Sequence, residues 1–141
     1  MNLLLDVNVI LDVLANRRPW VDDSATLLQR IREGRCGGKI AAHTVTTLHY
    51  LLTKHSDRQT AVSALQILLQ AVEVVPVDGK VINRALSMGW DDFEDAVQGV
   101  CAVNSGVDYL ATRNQDDFNA LSIPVVTPEV VLGLLEETDG R

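Results

Sequence analysis

The residues best equipped for chemistry in this chain are carboxylates. Residues 89–98 read Gly89-Trp90-Asp91-Asp92-Phe93-Glu94-Asp95-Ala96-Val97-Gln98, four carboxylates within five residues, ahead of an apolar run of Ala96, Val97, Val100, Cys101 and Val103. The run has helical spacing, so Asp92 and Asp95 share a face that Asp91 can join. Like charges on one face repel, and only near a helix N-terminus does the dipole offset part of that cost. A capped, acid-rich first turn is therefore the plain reading of this cluster alone. Two distant acids argue for more: Asp6 ends the first apolar run, and Asp117 follows Asn114 near the other end of the chain. Gathered in a dry cleft, these carboxylates need a cation or a proton between them. Mg²⁺ suits such a site, because it takes one or two carboxylates, keeps several waters and binds phosphates. An ion there lowers the pKa of water and stabilises charge on a phosphodiester, which points to phosphodiester hydrolysis.

Other chemistries lack their residues. There is no Gly-rich phosphate loop, GxSxG elbow or CxxC pair. His43, His49 and His55 lack zinc spacing and are expected as surface or packing residues. The two cysteines, Cys36 and Cys101, build no disulfide framework, in keeping with a reducing compartment. A net charge of −7 argues against bulk electrostatic binding of nucleic acid, but not against an acidic site that binds cations. Six of the twelve basic residues lie between Arg17 and Lys39, as a solvated helix face or a phosphate-facing rim. Trp20 and Trp90 are expected to pack in the core rather than stack on bases, and Asp12 is expected to face solvent. No apolar run approaches the roughly 20 residues of a membrane span, and a cytoplasmic protein is expected.

These side chains need a scaffold to bring them together. Asn2–Leu5 suits a buried strand, and Val9, Ile10, Val13 and Leu14 begin a helix directly after Asp6. Asp22, Asp23 and Ser24 are cap candidates for a second helix, ended by Gly34, Gly37 and Gly38. A strand over residues 39–42 precedes a helix opened by Thr44 or Thr46, and Ser56-Asp57 caps another. Residues 73–77 read as a third strand, with Pro76 marking an end or an edge, and Asp78 caps the next helix. After the acidic helix, residues 108–111 and 124–127 read as two more strands. Asp116-Asp117-Phe118 makes a short turn between them, and Pro128 opens a last helix over residues 129–135. Alternating strands and helices predict an α/β fold, a mainly parallel sheet of about five short strands with helices on both faces. One domain over residues 1–137 and a polar tail over 138–141 account for the chain. Asp6 and Asp117 then follow strands at their C-terminal edge, where sites form in such sheets.

At these residues the chain resembles the PIN-domain nucleases, the family that includes the VapC-type toxins of toxin–antitoxin pairs. The matching pieces are Leu5-Asp6-Val7-Asn8-Val9-Ile10-Leu11, Phe93-Glu94-Asp95-Ala96, and Ala111-Thr112-Arg113-Asn114 with Asp117-Phe118. In order and spacing they span nearly the whole chain. The resemblance implies a PIN-like fold and a Mg²⁺- or Mn²⁺-dependent endoribonuclease, with RNA as substrate, a cognate antitoxin as partner and a homodimer as assembly. Asp6, Asp95 and Asp117 match the family's metal-binding acids, and Asn114 matches a polar position beside the last. The family's further Glu, on the helix after the second strand, is absent: His49 or Tyr50 stands there. Asp92 is the expected substitute as a metal and catalytic acid, and Glu94, about 100° around the helix from Asp95, the less favoured one. The alternative is a catalytically weakened PIN-like module that binds RNA or protein. Rival aspartate-based phosphoryl transfer fits poorly, because phosphatases of that kind have Asp where Asn8 stands and receiver domains need a late Lys.

Overall fold

A computed structural model describes residues 1–118 and 121–139. In chain order the elements are β1 (Asn2–Leu5), α1 (Val7–Leu14), α2 (Val21–Arg32), β2 (Gly37–Ala41), α3 (Ala42–His55), α4 (Arg58–Leu68), β3 (Glu73–Val75), α5 (Gly79–Ser87), α6 (Phe93–Asn104), β4 (Tyr109–Ala111), a 3₁₀ turn (Gln115–Asp117), β5 (Val125–Val126) and α7 (Pro128–Asp139). The strands form one sheet in the order β3-β2-β1-β4-β5, with every neighbouring pair parallel. Helices cover both faces, as the unbroken apolar strands require.

Strand β1 divides the core. Leu3 and Leu5 point to one face, packing with Val9, Ile10, Leu27, Leu48, Leu65 and Val131 from α1, α2, α3, α4 and α7. Leu4 points to the other, against Val81 and Ala85 of α5 and Ala96, Val97 and Val100 of α6. All three leucines are fully buried. Among the described residues, no helix is long and apolar enough to cross a membrane.

Several helix starts differ from the sequence expectation. Trp20 occupies the N-cap of α2 without a side-chain bond, while Asp22 and Asp23 lie in its first turn and Ser24 is buried. Acids there still complement the dipole, so the charge was legible and the cap was not. Helix α3 follows β2 with no loop: Ala41 is both last strand residue and N-cap, Thr44 is buried, and Thr46 Oγ1 donates to the His43 carbonyl at 2.8 Å. Of the glycines expected to end α2, only Gly34 does so, with φ +78°. Gly37 and Gly38 belong to β2, where a Cβ on Gly38 would meet Ile31 at 2.9 Å. The last helix runs on to Asp139, so Thr138 and Asp139 extend it rather than begin a tail; Gly140 and Arg141 lie outside the described residues.

Candidate active site

Strands β1 and β4 are neighbours, with Leu5 opposite Ala111, and this register brings the C-terminal ends of both to one edge. Asp6 follows directly, its backbone N–H donating to the Ala111 carbonyl at 3.0 Å. It holds the N-cap position of α1 but makes no side-chain cap bond. Its carboxylate is turned inward instead, 2 % exposed. Oδ1 accepts from Gln98 Nε2 at 2.9 Å and Oδ2 from Thr112 Oγ1 at 2.9 Å. Burial pushes the Asp6 carboxyl above the usual range, and the bonds from Gln98, Thr112, the Val7 backbone and Asn8 pull against that shift.

Helix α6 contributes the second group of acids. Asp92 is its N-cap, with Oδ1 accepting from the Asp95 N–H at 3.0 Å. One turn of helix therefore carries both a cap and a charge cluster. Asp95 is half-buried, and its carboxyl is pushed up to about 7, first by burial and then by Asp92, Asp6, Asp117 and Glu94 in turn. Four other carboxylates thus act on one side chain. Glu94 is half-buried as well; burial, Asp92 and Asp6 raise its carboxyl, while a bond from Thr47 lowers it. Its Oε1 is buried with no hydrogen-bond partner.

The loop after β4 supplies the rest. The Asn114 N–H donates to Thr112 Oγ1 at 3.1 Å, and the Asp117 N–H donates to the Asn114 carbonyl at 3.1 Å. Thr112 hydroxyl thereby ties Asp6 to the loop that presents Asn114 and Asp117. A cleft of about 300 Å³ opens above, lined by Gly89, Trp90, Asp91, Asp92, Asp95, Asp116 and Asp117. Trp90 braces one wall edge-on against Phe118, centroids 6.0 Å apart. Asp92, Asp95 and Asp117 line this cleft, while Asp6 and Asn114 do not. Among the described residues, no three acidic, His or Cys side chains stand close enough to hold one ion together. The acids are within Coulombic reach of one another rather than in ligating contact, the spacing that like charges favour.

Two expectations need correction. Asp12 does not face solvent; it is fully buried, with Arg113 Nε 3.0 Å from Oδ2 and Arg17 Nη1 3.7 Å from Oδ1. The two arginines supply the charge that makes this burial tolerable. Trp20 is not a core residue: it is 41 % exposed, with the Arg113 guanidinium 3.7 Å over its ring. The position of the absent Glu is also informative. Of the two residues expected there, Tyr50 is 64 % exposed and His49 half-buried. The α3 groups that reach the acids are Thr47, which bonds Glu94, and His43, whose imidazole burial holds below its usual range.

Gln98 and Thr112 were not singled out from the sequence, yet both hold Asp6. Each left a signal: Gln98 is the one polar side chain in the buried stretch 96–102, and Thr112 follows β4 as Asp6 follows β1.

A PIN domain family model matches residues 2–116. The chain belongs to the PIN-domain family. It is 25 % identical over 132 residues to Ribonuclease VapC1 of Aquifex aeolicus (strain VF5), covering 90 % of both chains. A toxin–antitoxin complex from Klebsiella pneumoniae has a chain that superposes with TM-score 0.65 and 21 % identity, over 89 % of this chain and 96 % of that one. The Sarcin-Ricin loop cleaving toxin VapC20 of Mycobacterium tuberculosis does so with TM-score 0.64 and 16 % identity, over 77 % and 86 %.

Proposed function

We propose that this chain is a metal-dependent endoribonuclease, the toxin of a toxin–antitoxin pair. The observation that carries the chemistry is the cleft lined by Asp92, Asp95 and Asp117, in which burial and four neighbouring carboxylates push the Asp95 carboxyl up to about 7. Repulsion of that kind is the environment a divalent cation relieves. The RNA substrate and the antitoxin partner are supported by the names of the similar ribonuclease from A. aeolicus and the toxin–antitoxin complex from K. pneumoniae. A cytoplasmic homodimer completes the reading.

Asp6, Asp95 and Asp117 are the residues that would hold Mg²⁺ or Mn²⁺, drawn closer by the ion than they stand without it. Asp92 and Glu94 flank them. Asp92 lines the cleft with Asp95 and Asp117 and has Oδ1 on the α6 cap, whereas Glu94 lies outside that lining with Oε1 buried and unpartnered. When bound, such an ion stabilises charge developing on a phosphodiester and eases deprotonation of a water nucleophile. Gln98 and Thr112 fix the Asp6 carboxylate, so that its orientation is set before RNA arrives. Asn114 stands on the loop tied to Thr112, where its amide can position water or a phosphate oxygen. Hydrolysis joins water oxygen to phosphorus and breaks one bridging P–O bond, whose oxygen leaves with a proton.

The test is cleavage of single-stranded RNA by purified protein with Mg²⁺, Mn²⁺ or a chelator. Wild type is expected to cut with either ion and not with chelator, and Asp6→Asn and Asp95→Asn to lose at least about a hundredfold in rate. The lack of the family's further acid, with His49 or Tyr50 in its place, favours one second reading, a PIN-like module that binds without cutting. Binding of RNA without cleavage under every ion condition would establish that module instead.

A further inference from the structure

Beside the acids stands a second group of side chains that the cleavage chemistry does not use. Trp20 lies on the connection between α1 and α2 and is 41 % exposed. The Arg113 guanidinium covers its ring at 3.7 Å. Arg113 is in turn held by Asp12, which is fully buried and 3.0 Å from Arg113 Nε. Arg17 reaches the same carboxylate at 3.7 Å and Asn8 Oδ1 at 3.5 Å. One face of the exposed indole is thus covered by Arg113, which the buried Asp12 carboxylate holds in place, and this restricts the ring's orientation in advance.

The location matters as much as the bracing. Arg113 sits between Thr112, which bonds Asp6, and Asn114, whose carbonyl anchors Asp117. Trp20 is therefore one side chain removed from the loop that carries the acids. Arg18, two residues before Trp20, is exposed and makes no ion pair among the described residues. In a chain of net charge −7, one exposed aromatic ring thus has Arg113 over it, an arginine that shares Asp12 with Arg17, and an unpaired Arg18 close by in the sequence. Single-stranded nucleic acid is bound by this combination, a base stacked on an aromatic face and a phosphate met by a cation. A ring already oriented loses little freedom when a base stacks on it.

We propose that Trp20, braced by Arg113 and Asp12, is a stacking platform for one unpaired base of the RNA, with Arg18 meeting an adjacent phosphate. This subsite rests on the ribonuclease reading and adds a preference for single strands over duplex at the cleavage site. It also makes Trp20 a specificity-determining residue outside the acid cluster.

The experiment measures binding of a fluorescein-labelled single-stranded oligoribonucleotide, and of its duplex, by fluorescence anisotropy in Mg²⁺. The Asp95→Asn protein serves as background so that RNA stays intact. Adding Trp20→Ala is expected to weaken single-strand binding about tenfold, and Trp20→Phe only about threefold, with duplex binding unchanged. Arg18→Gln is expected to weaken single-strand binding and flatten its salt dependence. Equal single-strand affinity with and without Trp20→Ala overturns the platform, as does an equal loss toward duplex and single strand. The two readings fail separately. If wild type cuts no RNA with either ion, the ribonuclease reading falls and the platform with it, whereas cleavage by wild type with binding indifferent to Trp20 removes the platform only. If Asp95→Asn alone binds no RNA, the same Trp20 comparison is made in the wild-type background with chelator. Should Trp20→Ala prove unstable by circular dichroism, Trp20→Phe against Trp20→Leu gives the same comparison, and equal affinity of those two overturns the proposal.

Discussion

Asp95 is where the opposing demands on this site meet. It is tied through its backbone to Asp92, half-buried, and surrounded by like charge. Its carboxyl stands near pH 7 in the folded chain and near 3.8 as the ordinary value. The folded protein therefore holds a proton there that the unfolded chain releases between pH 4 and pH 7. Stability falls as pH rises through that window, and the loss is complete above it. Asp95→Asn removes the penalty while keeping the shape. In chelator at pH 8 the variant is expected to be more stable than wild type, on the order of 2 kcal/mol after allowing for partial solvent screening. Near pH 4 the two should coincide. Urea unfolding at both pH values measures this, and a variant less stable than wild type at pH 8 would make Asp95 a structural residue. Gln98 calls for the opposite expectation. It donates to Asp6 from a fully buried position, so Gln98→Leu keeps the volume but leaves Asp6 short of a donor. About a tenfold loss of Mn²⁺ affinity should follow, read by titration with the ion.

At the scale of elements, local rules performed well where the signal was local. Asp57 and Asp78 were legible as caps, and each accepts from a backbone N–H three residues on, Thr60 and Val81. Pro76 was legible as a strand end because it has no N–H to give, and β3 stops at Val75. What failed were features decided by neighbours far away in the sequence. Gly37 and Gly38 look like a turn, yet they are strand residues, paired with Asn2 and Leu3 of β1, and a Cβ on either would crowd the Asn2 or Ile31 side chain. Gly38→Ala should therefore destabilise the fold by about 1–3 kcal/mol through overpacking, although alanine is the better strand residue by itself. Thermal unfolding tests this, and an unchanged midpoint would mean that Ile31 moves aside freely. Asp12 failed for the same reason, since its partner Arg113 lies about a hundred residues away. The double role of Asp92 suggests a sharper comparison. Asp92→Asn keeps a cap acceptor and removes a charge that repels Asp95 and Glu94, so in urea unfolding at pH 8 it should be at least as stable as wild type. Asp92→Ala should be about 1 kcal/mol less stable than Asp92→Asn.

Across the whole molecule, the alternation of strands and helices was visible in the sequence, but the order β3-β2-β1-β4-β5 was not. That order makes β1 and β4 neighbours, and with it Asp6 and the loop bearing Asp117 lie at one edge, within Coulombic reach of Asp95 but not in ligating contact. The fold holds like charges together, so any cation that enters the site stabilises the entire chain by mass action. Protons compete for the same carboxylates. With Asp95 near 7, the ion finds it mostly charged at pH 8 and mostly protonated at pH 6. Affinity should then fall by about tenfold over the unit below pH 7. At an ion concentration of about 100 Kd the stabilisation is about 2.7 kcal/mol, and a tenfold weaker Kd removes about 1.4 kcal/mol of it. Taking about 3 °C per kcal/mol, Mn²⁺ should raise the unfolding midpoint by about 8 °C at pH 8 and about half that at pH 6. Asp95→Asn should erase the difference between the two pH values. A rise of equal size at pH 6 and pH 8 in wild type would place the ion elsewhere than at Asp95, and no rise at either would remove the metal from this site altogether.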